Sequence, residues 1–131
     1  MTDEHAKAYV QIGLQQHLFG KEDVKAAARA GQALHESLLA RGVITPDQHV
    51  GLERAVAYRL GRDEDKRLAQ LLLEHGYTAQ AAVEAALEQQ KALYSQTGEL
   101  SRLADLLVRS GSLTHSQQTA ATKLLRLAQK K

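Results

Sequence analysis

The stretch LAQLLLEHGYT at residues 68–78 decides the fold, because related stretches stand at residues 34–45 (LHESLLARGVIT) and 103–114 (LADLLVRSGSLT). Each stretch places leucines on one stripe of a helix and follows them with a glycine and a threonine. The glycines Gly42, Gly76 and Gly111 recur at intervals of about 35 residues, a period typical of stacked helical repeats. The sequence therefore predicts an all-α fold of about four tandem helical hairpins that form a compact repeat bundle.

Each stretch also carries the chemistry that ends one helix and begins the next. Just past a helix end the chain often turns left-handed, a conformation that glycine adopts at the least cost, so we expect the three glycines to end helices. A threonine oxygen can accept a hydrogen bond from the free amides at the start of a helix. We expect this N-cap role for Thr45, Thr78 and Thr114, with Gln48 and Gln117 completing two capping boxes.

These signals predict helices at about residues 5–18, 21–30, 32–41, 46–60, 64–75, 79–96, 102–110 and 115–129. We assign residues 1–131 to a single all-α repeat domain. Its hairpin units span about residues 5–31, 32–61, 64–98 and 101–129, with boundaries near Gly31, Gly61 and Gly98. The charged stretch 62–67 is interpreted as a polar connection between two units.

The overall composition limits the classes of function. Seventeen basic and fifteen acidic residues leave a formal charge of +2, a surplus too small to indicate a polyanionic partner. The chain has no cysteine, no secretory signal at its start and no apolar run approaching ~18 residues. We therefore expect a cytoplasmic protein with no segment inserted in a membrane.

No arrangement of residues in the sequence supports catalysis or metal binding. The six histidines show neither i,i+4 pairing nor a His-Glu-x-x-His motif, and phosphate-binding loops are absent. We therefore predict a non-enzymatic protein with no catalytic residue, no metal and no cofactor. Nucleic acid is a disfavoured partner, because the predicted helices after Thr45 and Thr78 begin with Pro46, Asp47 or Ala79 rather than with basic residues.

The repeated unit resembles the helical repeat in the N-terminal domain of type II secretion and type IV pilus assembly ATPases. The resemblance covers about residues 31–125 and rests on the leucine spacing, the glycine, the following threonine and a glutamine in the next helix. The same repeat occurs near bacterial Ser/Thr kinases and other signalling proteins. It implies a regulatory or scaffolding domain, often the N-terminal part of a larger protein, whose partner is another protein or an adjacent domain.

Some members of this family bind cyclic di-GMP through two tandem copies of a motif that begins Arg-Leu-Gly and continues with leucines, a glycine and a glutamine. The resemblance implies that arginine pairs with phosphate or guanine, that the leucines form an apolar bed and that glycine lets the backbone approach. The better copies in this chain begin at Arg67 and Arg102. The implied ligand-binding residues are Arg67, Leu68, Leu72, Gly76, Gln90, Arg102, Leu103, Leu107 and Gly111.

Both copies depart from the family motif. Ala69 and Ala104 stand where the family has glycine, and their methyl groups would obstruct a ligand that needs close backbone approach. A structural interpretation of the same motif treats Arg67 and Arg102 as exposed first-turn residues and Gln90 as an exposed helix residue. Two functions stay open, a protein-interaction module, which we favour, and a cyclic di-GMP receptor.

Overall fold

The computed structural model describes residues 3–129, and these residues form seven helices and no strand. The all-α prediction is confirmed. Within this described part of the chain, no helix combines the length and the apolarity that crossing a bilayer requires. The helices are α1 (Asp3–Gln15), α2 (Lys21–Ala30), α3 (Leu34–Ala40), α4 (Pro46–Glu74), α5 (Gln80–Thr97), α6 (Leu103–Arg109) and α7 (His115–Gln129).

Helix α4 contradicts the predicted helix break between residues 60 and 64. It runs for 29 residues without a break, through Gly61 and through the charged stretch 62–67. At Gly61 the side chain of Leu100 packs where a Cβ would stand, so a residue with a side chain would not fit there without a shift. The glycine therefore permits a close side-chain contact rather than a helix end. The predicted series of separate tandem hairpins is not confirmed.

The chain divides into two compact units, Met1–Leu60 and Gly61–Lys131, called unit 1 and unit 2 below. Burial of each large apolar side chain contributes ~1.5–3 kcal/mol to folding. The assignment of residues 1–131 to a single domain stays a prediction. The core of unit 1 consists of Ala8, Tyr9, Ile12, Phe19, Leu38, Ile44, Leu52 and Val56. The core of unit 2 consists of Leu68, Ala69, Leu72, Val83, Ala86, Leu103, Ala104, Leu106, Leu107, Leu113, Ala121 and Leu125.

The three glycine turns adopt the predicted geometry. The φ angles of Gly42, Gly76 and Gly111 are 70°, 66° and 79°, in the left-handed region. In each turn the glycine N–H donates to the carbonyl three residues earlier, and the next N–H donates to the carbonyl five residues earlier. The second carbonyl always belongs to a fully buried leucine, and these leucines are Leu38, Leu72 and Leu107.

Two of the three predicted N-caps are confirmed. The hydroxyl of Thr45 accepts a hydrogen bond from the Gln48 N–H, and the Gln48 side-chain oxygen accepts one from the Thr45 N–H. Thr114 and Gln117 form the same reciprocal pair. The prediction for Thr78 is wrong, because α5 begins one residue later with Ala79 as its N-cap. Thr78 follows its glycine by two residues, whereas the true caps follow theirs by three.

Helix α1 ends in a turn of the same kind that the repeat pattern does not reveal. The N–H of His17 donates to the Leu14 carbonyl at 3.2 Å, and the N–H of Leu18 donates to the Gly13 carbonyl at 3.0 Å. His17 has a φ of 58°, in the region that glycine occupies in the other turns. The ring of Phe19 packs where a Cβ of Gly13 would stand.

Candidate functional site

The two arginines of the cyclic di-GMP-like motif lie in different environments. Arg67 is an exposed residue well inside α4, seven residues before the end of that helix. Arg102 precedes α6 as its N-cap. The interpretation as an exposed first-turn residue is therefore wrong for Arg67, whereas Arg102 is an exposed residue at the start of α6. Because α4 continues through the predicted break, no helix begins at the motif copy that starts with Arg67. A helix does begin at the copy that starts with Arg102.

The four leucines implied as an apolar bed lie in the core of unit 2. The exposed fraction is 6% for Leu68 and 0% for Leu72, Leu103 and Leu107. A flat ligand could contact the three fully buried leucines only after the helices of unit 2 had separated, which would forfeit their burial energy. Packing inside unit 2 is enough to account for the leucine pattern.

The two motif glycines are explained by their turns. Gly76 and Gly111 both have a positive φ, which side-chain-bearing residues rarely adopt. A Cβ built on either glycine meets no other atom within 4 Å, so no other part of the chain packs closely against either glycine. Their role here is to end helices α4 and α6.

Gln90 and Arg102 meet at the carboxylate of Asp65, and we call these three residues together with Glu64 the polar clasp. The exposed fraction is 0% for Gln90 and 1% for Asp65, so the interpretation of Gln90 as exposed is wrong. The Gln90 Nε2 donates to Asp65 Oδ2 at 2.6 Å and to the Ser101 carbonyl at 2.9 Å. The buried amide and the buried carboxylate therefore satisfy each other.

Arg102 supplies the positive charge of the polar clasp. Its Nη2 donates to Asp65 Oδ1 at 2.8 Å and to Glu64 Oε1 at 2.7 Å, and its Nε donates to Asp65 Oδ1 at 3.1 Å. The hydrogen bond to Asp65, followed by the one to Glu64, raises the pKa of Arg102 further above its usual range, against the opposing effect of burial. The guanidinium is thus a permanent cation that already holds two carboxylates.

Asp65 also caps a helix that begins far away in the sequence. Its Oδ2 accepts the N–H of Leu103 at 3.0 Å, whereas the N-cap Arg102 makes no side-chain cap bond. The carboxylate therefore does for α6 what a local N-cap aspartate would do. Sequence reasoning missed Asp65, although it precedes Leu68 and Leu72 by three and seven residues and so shares their buried helix face.

The second polar feature of unit 2 is a groove between α4 and α7, which we call the α4–α7 groove. It encloses about 370 Å³ and is lined by Leu71 and Leu125 together with Ala128 and three polar residues of α4. The guanidinium of Arg67 stands at this groove and forms no hydrogen bond or ion pair with another described residue. The polar residues of α4 at the groove are Arg67, Gln70 and Glu74, all exposed.

Unit 1 contains a cluster of rings, which we call the ring cluster, between α1 and the first half of α4. The Tyr9 hydroxyl hydrogen-bonds with Nδ1 of His49 at 2.9 Å, and His5 Nε2 lies 2.8 Å from Glu53 Oε2. The ring of His35, on α3, stacks on that of His49 with centroids 5.0 Å apart. Burial, and then the charge of Glu53, raise the pKa of Tyr9 to about 12. Tyr9 is therefore a neutral hydrogen-bonding group at physiological pH.

The ring cluster joins the helices of unit 1 and is not arranged as a metal centre. Within residues 3–129, no group of three or more histidine, aspartate or glutamate side chains is placed to hold a metal ion. The hydrogen bonds of His5 and Tyr9 both run from α1 to α4. Their geometry fits the attachment of α1 in unit 1.

Comparison of the chain with protein-family models, with curated proteins and with solved structures gives no match. The resemblance to the N-terminal repeat of secretion and pilus assembly ATPases therefore stays a prediction.

Proposed function

We propose that this chain is a non-enzymatic regulatory or scaffolding module that binds an amphipathic helix of another protein, or of an adjacent domain, in the α4–α7 groove. The observation that carries this proposal is the combination of an apolar floor with a cation, Arg67, that pairs with no other described residue. An exposed cation beside an apolar surface suits a partner that supplies both apolar side chains and a carboxylate.

The shape of the groove favours a helix as the occupant. Its walls are two helices, and its floor is formed by Leu71, Leu125 and Ala128. An amphipathic helix lays side chains at positions i, i+3 or i+4 and i+7 into a groove of this kind. The small side chain of Ala128 leaves room for a larger apolar residue of the partner.

The charges along the rim favour one orientation of the partner. Arg67 and Glu74 lie on the same helix, so they stand about 10 Å apart along its axis. A partner helix would place an acidic residue opposite Arg67 and a basic residue opposite Glu74. Such complementarity contributes mainly to specificity and to the association rate.

Site-specific crosslinking tests where a partner binds. A photoreactive amino acid replaces the exposed Gln70 at the groove, and in a control chain it replaces Gln96, an exposed residue of α5. In cells that express the chain, we expect the Gln70 position to crosslink to an amphipathic helical segment and the Gln96 position not to do so. A capture that is equal at both positions contradicts the proposal.

A charge exchange then tests the contact itself. The captured segment is synthesised as a peptide, and its affinity for the purified full chain is measured by calorimetry. Arg67→Glu should weaken binding at least about tenfold, and reversal of the matching acidic residue in the peptide should restore it. The matched control is Lys66→Glu, an exposed neighbour that does not line the groove. Equal effects of Arg67→Glu and Lys66→Glu would overturn the assignment of the groove.

The cyclic di-GMP alternative stays a prediction, and it requires a different arrangement of Arg102. Arg102 would have to leave Asp65 and Glu64 before it could hold a nucleotide. Calorimetric titration of the full chain with cyclic di-GMP checks it, since binding should be saturable and abolished by Arg67→Ala or Arg102→Ala. The absence of heat at high micromolar nucleotide would exclude it.

A further inference from the structure

A cavity of about 320 Å³ opens in unit 1 between α1, α2 and the start of α3. Its wall is largely aliphatic and includes Val10, Val24 and Leu34. The cavity exists because the helices that face it carry alanines, among them Ala6 and Ala28, which do not fill the space between them. A volume near 300 Å³ is at the lower end of the range for pockets that enclose a small organic molecule.

The polar residues that line the cavity are few, and all of them are uncharged side chains that can donate a hydrogen bond. Gln32 and His35 both line it, and each can donate an N–H. The imidazole of His35 stacks on His49 and forms no hydrogen bond with another described residue. Tyr9 also lines the cavity, but its hydroxyl is already bonded to His49. Gln32 and His35 are thus the groups that could bind the head of a ligand.

The charge of the lining selects the chemistry of that head. Among the described residues that line the cavity, none is aspartate, glutamate, lysine or arginine. A cationic head would meet no carboxylate there; an anionic head would meet no lysine or arginine either, but it could accept hydrogen bonds from the N–H groups of Gln32 and His35. A carboxylate, with two oxygens, can use an amide and an imidazole at the same time.

We propose that the cavity of unit 1 binds a small aliphatic carboxylate, with its hydrocarbon chain against the alanines and valines and its carboxylate at Gln32 and His35. This site lies in a different unit from the α4–α7 groove and does not depend on it. A molecule that binds the folded state alone stabilises it by mass action, so the ligand would raise the free energy of unfolding.

The test uses the purified full chain and sodium decanoate as the probe, below its micelle-forming concentration. Calorimetry should give one saturable site that is occupied below about 1 mM, together with a rise in the midpoint of thermal unfolding. Decan-1-ol should bind more weakly than decanoate, and decyltrimethylammonium should not bind. The absence of saturable decanoate binding at about 1 mM, or equal binding of the cation, would overturn the proposal.

Two substitutions in the same helix locate the site. Ala28→Leu places a larger side chain in the cavity and should weaken decanoate binding at least about tenfold. Ala30→Leu adds the same atoms at an exposed position that does not line the cavity, and it should leave the affinity within about twofold. Equal affinities of the two variants would contradict the site. If circular dichroism shows that Ala28→Leu unfolds, Ala6→Leu on the opposite wall replaces it.

A third substitution tests the head of the ligand. His35→Ala should weaken decanoate binding about tenfold, because it removes a donor to a charged oxygen, and should leave decan-1-ol binding within about twofold. An equal loss for both probes would mean that His35 acts through packing, and would overturn its role at the carboxylate.

Discussion

Unit 1 and unit 2 end helices with the same kind of turn but join their helices with different polar groups. In unit 1 the polar contacts between α1 and α4 include the ring cluster, in which the side chain of Glu53 is 35% exposed, and hydrogen bonds from Arg59 to Gln11 and Gln15. In unit 2 the polar clasp surrounds Asp65, whose side chain is 2% exposed. The turn therefore sets where a helix stops, and it does not determine which polar contacts then join the helices.

The difference in exposure predicts a difference in energetic cost. A carboxylate that keeps contact with water can lose its partner at a cost of ~0.2–1 kcal/mol. A buried carboxylate such as Asp65 has no water to replace its donors, and removal of one member of a buried pair typically costs ~3–5 kcal/mol. Loss of the polar clasp should therefore affect stability far more than loss of the Glu53 contacts.

The largest expected effect comes from Asp65→Asn. The amide cannot pair with Arg102 as a carboxylate does and cannot accept the Leu103 N–H and the Gln90 N–H as strongly. We expect the free energy of unfolding to fall by about 3–5 kcal/mol, measured by urea denaturation. Glu53→Gln in unit 1 should cost about 1 kcal/mol or less.

The exposed neighbour Asp63 supplies the control for this pair. Asp63→Asn removes a carboxylate from the same helix without touching the polar clasp, and should change the free energy of unfolding by less than about 0.5 kcal/mol. If Asp65→Asn costs no more than Glu53→Gln, the contrast drawn between the two units is wrong.

The second expected effect separates two glycines of the same helix. Gly61→Ala forces the Leu100 side chain to move, whereas a Cβ on Gly51 meets no atom within 4 Å. Alanine is favoured over glycine in a helix by about 1 kcal/mol, so Gly51→Ala should raise the free energy of unfolding. Gly61→Ala should lower it by about 1 kcal/mol, because overpacking costs ~1–3 kcal/mol.

A double-mutant cycle checks the cause of that loss. With Leu100→Ala in place, Gly61→Ala should become stabilising, and the coupling between the two positions should reach about 2 kcal/mol. A coupling near zero would mean that Leu100 does not explain the glycine at position 61.

The third prediction concerns pH in unit 1. The pKa of Tyr9 rises from 10.0 to about 12 in the folded state, chiefly through burial. Between these values the unfolded chain releases the proton and the folded chain keeps it, so stability is fully present below pH 10 and falls as pH rises. The loss should approach about 1.4 kcal/mol per pH unit and should vanish in Tyr9→Phe.

Denaturant unfolding of wild type and Tyr9→Phe at a series of pH values measures this effect. Their difference in free energy of unfolding should be constant below pH 10 and should shrink above it. A constant difference across the whole alkaline range would contradict the burial of the Tyr9 hydroxyl.

The smallest expected effect lies at the turn after α1. His17 holds a φ of 58°, which costs a residue with a side chain roughly 1–2 kcal/mol. His17→Gly removes this cost, but glycine also gains conformational entropy in the unfolded chain, which offsets part of the benefit. We therefore expect the free energy of unfolding to rise by about 0.5–1 kcal/mol. Gly42→Ala, at the matching turn after α3, should lower it. Destabilisation by His17→Gly would mean that the histidine side chain has a further role.

The local signals of the sequence were sufficient for the turns and for two of the three caps. Gly42, Gly76 and Gly111 end helices as predicted, and Thr45 and Thr114 form capping boxes. Each signal acts within about four residues, which is the reach of helix hydrogen bonding. The prediction for Thr78 was wrong because Thr78 lies one residue closer to its glycine than Thr45 and Thr114 lie to theirs.

The candidate site was predictable only as a set of residue types. The motif brought Gln90 and Arg102 to attention, but their common partner Asp65 lies 25 and 37 residues away in the sequence. The helical spacing of Asp65 from Leu68 and Leu72 is enough to predict that it lies on the buried face of α4. It is not enough to predict which residues pair with its carboxylate there.

The amino-acid sequence alone was enough to predict that this protein is built of helices and where most of them end, because these features depend on near neighbours. The tertiary structure alone decided that Gly61 stays inside α4, that Asp65 caps α6 and that Arg102 is held by two carboxylates. These outcomes depend on side chains brought together by packing, and a buried charge or a missing Cβ is tolerated only where such a neighbour is present.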